Sequence, residues 1–318
     1  ILSVLPPENL ELKVLKDLLP SRKKLGRTLK GLFEQGWLDF DRESRAYRCN
    51  PVVQEIVRQK NADRLGKDCG ELLDKLNYKL DFETGINHLK NSTYEEINTL
   101  SIWVEFSLIH IPKTRKLSLL ARKLGAYYTA TGNIQDAFGA FEKYHSFSSQ
   151  LLKRYPEDHY VKNDLALSFE AMGNTYKSLG NLREALSCFE KYQVLEKELH
   201  TKVPDESLFK NNLAVSYSKL GDTHRSLGNL DEALKYFEEY TRLEKELSIS
   251  YPSHVGFKNG LAISYAKLGD FYKKKDKEAA RRYFLKGKKL CEELVYSFPS
   301  YVQFGRYLDL VNERLSEL

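Results

Sequence analysis

No apolar run approaches the roughly 18 residues that a membrane-spanning helix needs. No secretory leader opens the chain. The four cysteines, Cys49, Cys69, Cys188 and Cys291, stand far apart, without a CxxC pair. That spacing argues against a disulfide framework and for free thiols in a reducing, cytoplasmic setting. Only 9 prolines and 18 glycines in 318 residues leave little material for a β-sandwich. There is no GxxxxGK[ST] loop to cradle a triphosphate, no serine elbow and no cysteine–histidine pairing. The seven histidines are scattered, none paired at metal-ligand spacing. No catalytic residue, metal or cofactor is therefore expected, and the chain does not read as an enzyme. It opens at Ile1 rather than methionine, amid apolar residues, as a piece of a longer protein would.

Charge is plentiful but balanced. Lys and Arg number 50 against 44 Asp and Glu. Residues 1–60 hold 12 basic and 8 acidic side chains, while residues 124–318 hold 28 and 27. A dense basic face of the kind nucleic-acid binders carry is absent, which argues against DNA as a partner. Carboxylates such as Glu238 and Glu239 sit three or four residues from lysines, as solvated ion pairs do.

A repeat dominates what is present. The stretch from 172, MGNTYKSLGNLREALSCFEKYQVLEKEL, returns from 220 as LGDTHRSLGNLDEALKYFEEYTRLEKEL. The same frame starts at 124 and at 268, so the period is 48, and the fourth copy loses one residue near Asp276. Gly125, Gly173, Gly221 and Gly269 let two helices approach. Gly132, Gly180 and Gly228 end the first helix. Ala137, Ala185, Ala233 and Ala280 with Phe141, Phe189, Phe237 and Phe284 anchor the second helix. Tyr155-Pro156, Val203-Pro204, Tyr251-Pro252 and Phe298-Pro299 close each unit.

This LG…Y…GN…EAL…F frame resembles the tetratricopeptide repeat family. The usual period there is about 34 residues. The extra 14 are one added heptad per helix, close to two turns, which keeps the apolar stripe nearly in phase. The resemblance implies an all-α fold, a right-handed α-solenoid of elongated helix pairs about 20 residues per helix.

Residues 1–60 follow another pattern. Helical periodicity runs through Leu10, Val14 and Leu18, then Leu25, Leu29, Leu32 and Phe33, and stops at Gly36. WLDFDRESRAY at 37–47 reads as a β-hairpin. Asn50 and Pro51 open a further helix at VVQEIV. Helix, helix, hairpin, helix outlines a winged-helix domain. LSVLPPE at 2–8, LKGLFEQGWL at 29–38 and YRCNPVVQEIVR at 47–58 resemble the winged-helix region of signal-transduction (STAND) NTPases. Cys49, Asn50 and Pro51 stand where that family carries a nucleotide-sensing Met-His-Asp or Met-His-Pro element, and the histidine is missing. Lys23, Arg27 and Lys30 share one helix side; an ordinary solvated face is the favoured reading over a DNA recognition helix.

Residues 61–112 form a helical bridge, with Leu65, Cys69, Leu72, Leu76 and Leu80 on one face, a loop near Phe82–Ser92, and Ile97, Leu100, Trp103, Val104 and Leu108 on a further helix. Residues 113–299 hold the four repeats, and 300–318 a capping helix.

The candidate site is the face of the first helices, which line the concave side of repeat solenoids. Asn163, Leu167, Asn174 and Lys177 mark it in the second copy, with Glu170 beside them. Asn211, Val215, Ser218, Asp222 and Arg225 mark it in the third. Asn259, Ile263, Asp270 and Lys273 mark it in the fourth, with Ala266 among them. An asparagine heads each stripe, and its amide can donate to and accept from a peptide backbone. Family grooves hold peptides with such asparagines and lysines. A blander reading stays open: duplicated asparagines on a solvated face. His224 takes a slot held elsewhere by Tyr128, Tyr176 and Tyr272, as a packed histidine.

The expected function is the trigger-recognising region of a bacterial STAND-type NTPase. A protein or peptide would lie in the groove, and the winged helix would act on an upstream NTPase domain of the same protein. A winged-helix transcription regulator and a passive scaffold are the alternatives.

Overall fold

The computed structural model describes residues 1–81 and 89–318 and is mostly helical. Two compact units are present, Ile1–Ser168 and Phe169–Leu318. The dividing point falls inside a helix, whereas the sequence-based edges at 60, 112 and 299 fall between helices.

The first unit opens with a three-stranded antiparallel sheet. β1 (Leu10–Glu11) pairs with β3 (Ala46–Cys49), which also pairs with β2 (Leu38–Asp41). α1 (Leu12–Leu18) and α2 (Leu25–Glu34) lie between β1 and β2 in sequence. The expected hairpin is present, with its turn over residues 42–45. Strand β1 was not expected. Leu10 begins the helical periodicity in sequence, yet it is a buried strand residue opposite Tyr47. Asn9, at φ 59°, turns the chain into that strand. α3 (Pro51–Lys60) starts as the residues dictate: the Asn50 side chain accepts from the Val52 N–H at 2.8 Å, and Pro51 takes the first helical position.

Next come α4 (Ala62–Asp68), α5 (Gly70–Lys79) and α6 (Tyr94–His110). Leu65, Cys69, Leu72, Leu76 and Leu80 are all buried, as one face requires. The expected loop near Phe82–Ser92 lies outside the described residues over 82–88. Thr93 and Glu96 form a reciprocal capping box at the start of α6. After Pro112 come α7 (Arg115–Ala130), α8 (Ile134–Arg154) and α9 (His159–Ser178), which contains the unit boundary.

The second unit continues with α10 (Leu182–Lys202), α11 (Ser207–Ser226), α12 (Leu230–Ser250), α13 (Val255–Tyr272), α14 (Lys277–Ser297) and α15 (Val302–Ser316). From α10 on, each helix packs against the next. Helices of 18 to 21 residues match one added heptad each. The turns between first and second helices follow from one glycine. Gly180 sits at φ 81°, and the Asn181 N–H donates back to the Tyr176 carbonyl at 2.9 Å. The fourth copy lost that glycine with its missing residue. There Asp276 caps α14 instead, accepting from the Ala279 N–H at 2.9 Å.

The repeat glycines act as seats for aromatic rings. A Cβ on Gly173 would stand 2.6 Å from the Phe189 ring, and one on Gly221 would stand 2.6 Å from Phe237. The core then continues between repeats. Ala233 and Phe237 pack with Leu268 and Phe271, and Ala280 and Phe284 pack with Val311 of α15.

Candidate functional site

Within the second unit the first helices α11, α13 and α15 and the C-terminal half of α9 carry a ladder of polar contacts. Lys219 of α11 donates to the Asn174 Oδ1 at 2.8 Å and pairs with Glu170 at 3.4 Å. Lys267 of α13 donates to Asp222 of α11 at 2.6 Å. Arg314 of α15 pairs with Asp270 of α13. One contact thus recurs along three steps. Its cations stand 48 and 47 residues apart, and its acceptors stand 48 apart. Burial pulls the Lys267 ammonium below its ordinary pKa, and Asp222 opposes that shift.

The ladder divides the sequence-derived stripe. Asn174, Asp222 and Asp270 are occupied as its acceptors. Arg225 pairs with Asp222 at 3.2 Å and lies over the Phe237 ring. Lys273 pairs with Glu317. Ile263 packs on the cluster of Leu213, Ala214, Tyr240 and Leu243, so it belongs to the inter-repeat core. Lys177 is half-buried near Lys267. The upper stripe differs. Asn211, Val215 and Ser218 on α11 and Asn259 on α13 are half-buried. The Asn211 and Asn259 amides have no hydrogen-bond partner among the described residues. In the first unit, Asn163 is only 4% exposed and Leu167 is half-buried. Beside Asn163, Asp164 holds Arg115 in a bidentate pair.

Two carboxyls escaped the sequence reading. Glu196 and Glu244 are 0% and 2% exposed. Burial pushes each up to about 8, against an ordinary 4.5. Glu196 accepts from the Asn212 amide at 3.4 Å, and its Oε2 has no partner. Gly260 replaces that asparagine one repeat later. Glu244 fills the space a side chain there would need, and its Oε2 too is unpartnered. The signal was available: both glutamates lie in the apolar stripe, between Tyr192 and Leu199 and between Tyr240 and Leu247.

His224 is packed. Its ring stacks on Tyr236 with centroids 5.3 Å apart. In the N-terminal region a groove of about 800 Å³ is lined by Leu19, Leu25, Leu29 and Trp37, with Lys23 and Lys24 at its edge. Lys30 is tied to Glu34 at 3.7 Å. Among the described residues no His, Cys, Asp or Glu group could hold a metal ion, and no helix is long and apolar enough to cross a membrane.

Paired antiparallel helices repeating a single contact place the chain in the helical-repeat class of scaffolds. The tetratricopeptide repeat family model matches residues 168–193 and 214–247, within the second and third copies. No curated protein matches the chain. The solved structure of BtubC (BKLC) from P. vanneervenii is similar, at 15% identity and a TM-score of 0.50, over 76% of this chain and 86% of that one. A kinesin light chain from Podosopora anserina with nearly identical TPR-like repeats also matches, at 15% identity and a TM-score of 0.40, over 74% and 93%. A STAND protein with a tetratricopeptide repeat sensor from Pyrococcus horikoshii matches at 13% identity and a TM-score of 0.29, over 98% of this chain and 52% of that one.

Proposed function

We propose that the repeats hold a peptide or protein segment on the face formed by Asn211, Val215 and Ser218 of α11 with Asn259 of α13. In this proposal the N-terminal element passes that binding to the NTPase domain of a STAND-type signalling protein. The observation that carries the first half is the pair of open amides. They occupy equivalent positions on helices that Lys267 and Asp222 hold side by side. An amide at each can pair with an extended backbone, and Val215 offers an apolar contact between polar neighbours. The second half rests on LSVLPPE, LKGLFEQGWL and YRCNPVVQEIVR, and on the helix–helix–hairpin–helix order around the small sheet. A ligand acts as a switch only by preferring one domain arrangement over another.

Peptides selected on the chain from a random display library test the face. In calorimetric titration, Asn211→Ala/Asn259→Ala should weaken them about tenfold or more, as two lost hydrogen bonds would. Unchanged affinity removes the face from consideration. Arg225 is a poorer target, because reversing its charge disturbs the Asp222–Lys267 contact. Sequencing the gene upstream of the Ile1 codon tests the coupling: a GxxxxGK[ST] loop is expected there, and an unrelated domain overturns the assignment.

A further inference from the structure

The fourth repeat shares its neighbours' geometry but not their charge. Residues 273–289 hold nine Lys and Arg against Asp276 and Glu278. The equivalent windows 225–242, 177–194 and 129–146 hold three against four, three against two, and one against two. Those windows build the same kind of helix pair, so folding does not require the excess. Lys273, Lys274 and Lys275 follow the negative, C-terminal end of α13, where cations are favoured. Lys277 instead opens α14, at a positive end where acids are favoured. At the same place α12 carries Asp231 and Glu232.

Some of these cations are occupied. Lys273 pairs with Glu317, Lys288 pairs with Glu292, and Lys277 donates to the Leu318 carbonyl. Lys275 lies over Phe271, and Lys286 lies over Tyr265 and Tyr283. Lys274, Arg281, Arg282 and Lys289 are exposed and make no ion pair with any described residue. Of the acids on the same side, Glu292 is taken by Lys288 and Glu293 by Lys258, which leaves Glu278 as the one acid there without an ion pair among the described residues. Leu285 and Tyr296 lie on the same outward side of the helix, 51% and 89% exposed. From Arg281 to Tyr296 the helix rises roughly 22 Å, the span of about seven extended residues.

We propose that the outer face of α14 docks an acidic segment of a partner protein, its carboxylates on Lys274, Arg281, Arg282 and Lys289 and its apolar side chains on Leu285 and Tyr296. Charge favours a short peptide over nucleic acid. A duplex carries a negative charge about every 1.7 Å and continues past the patch. Outside 273–289, residues 169–318 hold fifteen Lys and Arg against twenty Asp and Glu, so a long polyanion would run onto an acidic surface. This face is separate from the α11–α13 face, and the two proposals stand or fall independently.

The test is fluorescence anisotropy of the whole chain with a labelled peptide, Glu-Glu-Leu-Asp-Glu-Phe-Glu-Glu, at low and physiological ionic strength. A short random DNA duplex is titrated in parallel. Saturable, salt-sensitive peptide binding is expected. Arg281→Glu/Arg282→Glu should weaken it about tenfold or more, as reversed charges at a docking face do. Arg281→Lys/Arg282→Lys should retain it, and so should Lys235→Glu, the equivalent of Arg282 one repeat earlier. Circular dichroism checks that each variant is folded. No peptide binding, peptide binding indifferent to the reversal, or tighter binding of the duplex would each overturn the proposal.

Discussion

In residues 1–81, side chains from distant parts of the sequence close the structure. Ser21 donates to Glu71, 50 residues away. The Gln54 amide caps the Leu2 and Leu5 carbonyls. Each partner is used once. In residues 169–318 the same contact is made again and again: Phe on Gly within a pair, and Lys or Arg on Asn or Asp between pairs. A single-copy region hides its partners, because nothing in the sequence marks which distant residue will meet Gln54. A repeated region exposes them, and an exception such as Gly260 opposite Glu244 stands out against its equivalents.

The two regions also answer pH in opposite directions, and this is the sharpest way to separate them. Hydrogen bonds from Ser21 hold the Glu71 carboxyl below its ordinary 4.5. That stability is present above 4.5 and is lost as pH falls through the folded pKa. Glu196 and Glu244 are raised to about 8. Between 4.5 and 8 the folded repeats hold protons that the unfolded chain releases, so their stability falls as pH rises. We expect denaturant midpoints of the repeats to drop from pH 5 to pH 8. Glu196→Gln/Glu244→Gln should flatten that slope and stabilise the chain at pH 8 by an amount on the order of several kcal/mol, at about 1.4 kcal/mol per pKa unit. Both tryptophans, Trp37 and Trp103, lie in the first unit, so helical circular dichroism is the signal that reads the repeats. A pH-independent midpoint would break the comparison.

The next effect is steric. Gly221→Ala places a methyl against the Phe237 ring and should cost about 1–3 kcal/mol in urea unfolding, the usual range for an overpacked core. The smallest effect carries the opposite sign. Gly31 in α2 has nothing within 4 Å of a Cβ. Gly31→Ala should therefore gain about 0.5–1 kcal/mol, because alanine loses less backbone freedom on entering a helix. Equal effects at the two sites would mean that the repeat glycines are conformational rather than steric.

Much of this was legible in the residues themselves. The 48-residue frame marked Gly221, Ala233 and Phe237 as anchors, and Asn50-Pro51 announced the start of α3. Other features were not. Leu10 satisfies a helical stripe as well as a strand position, and only the free edge of β3 decides between them. Glu196 looks like any surface glutamate until its heptad position is weighed above its charge. Asp222 and Asp270 share the stripe with Asn211 and Asn259, and no spacing rule separates an acid that clamps a neighbour from an amide left open.

What the sequence alone determined is periodic: helix lengths, turn positions and the apolar stripe, because these depend on neighbours three, four and seven residues away. What only the tertiary structure decided is which polar groups meet. Lys267 reaches Asp222 across two helices, and burial neutralises two glutamates, because such pairings depend on distances in space that a linear pattern does not encode.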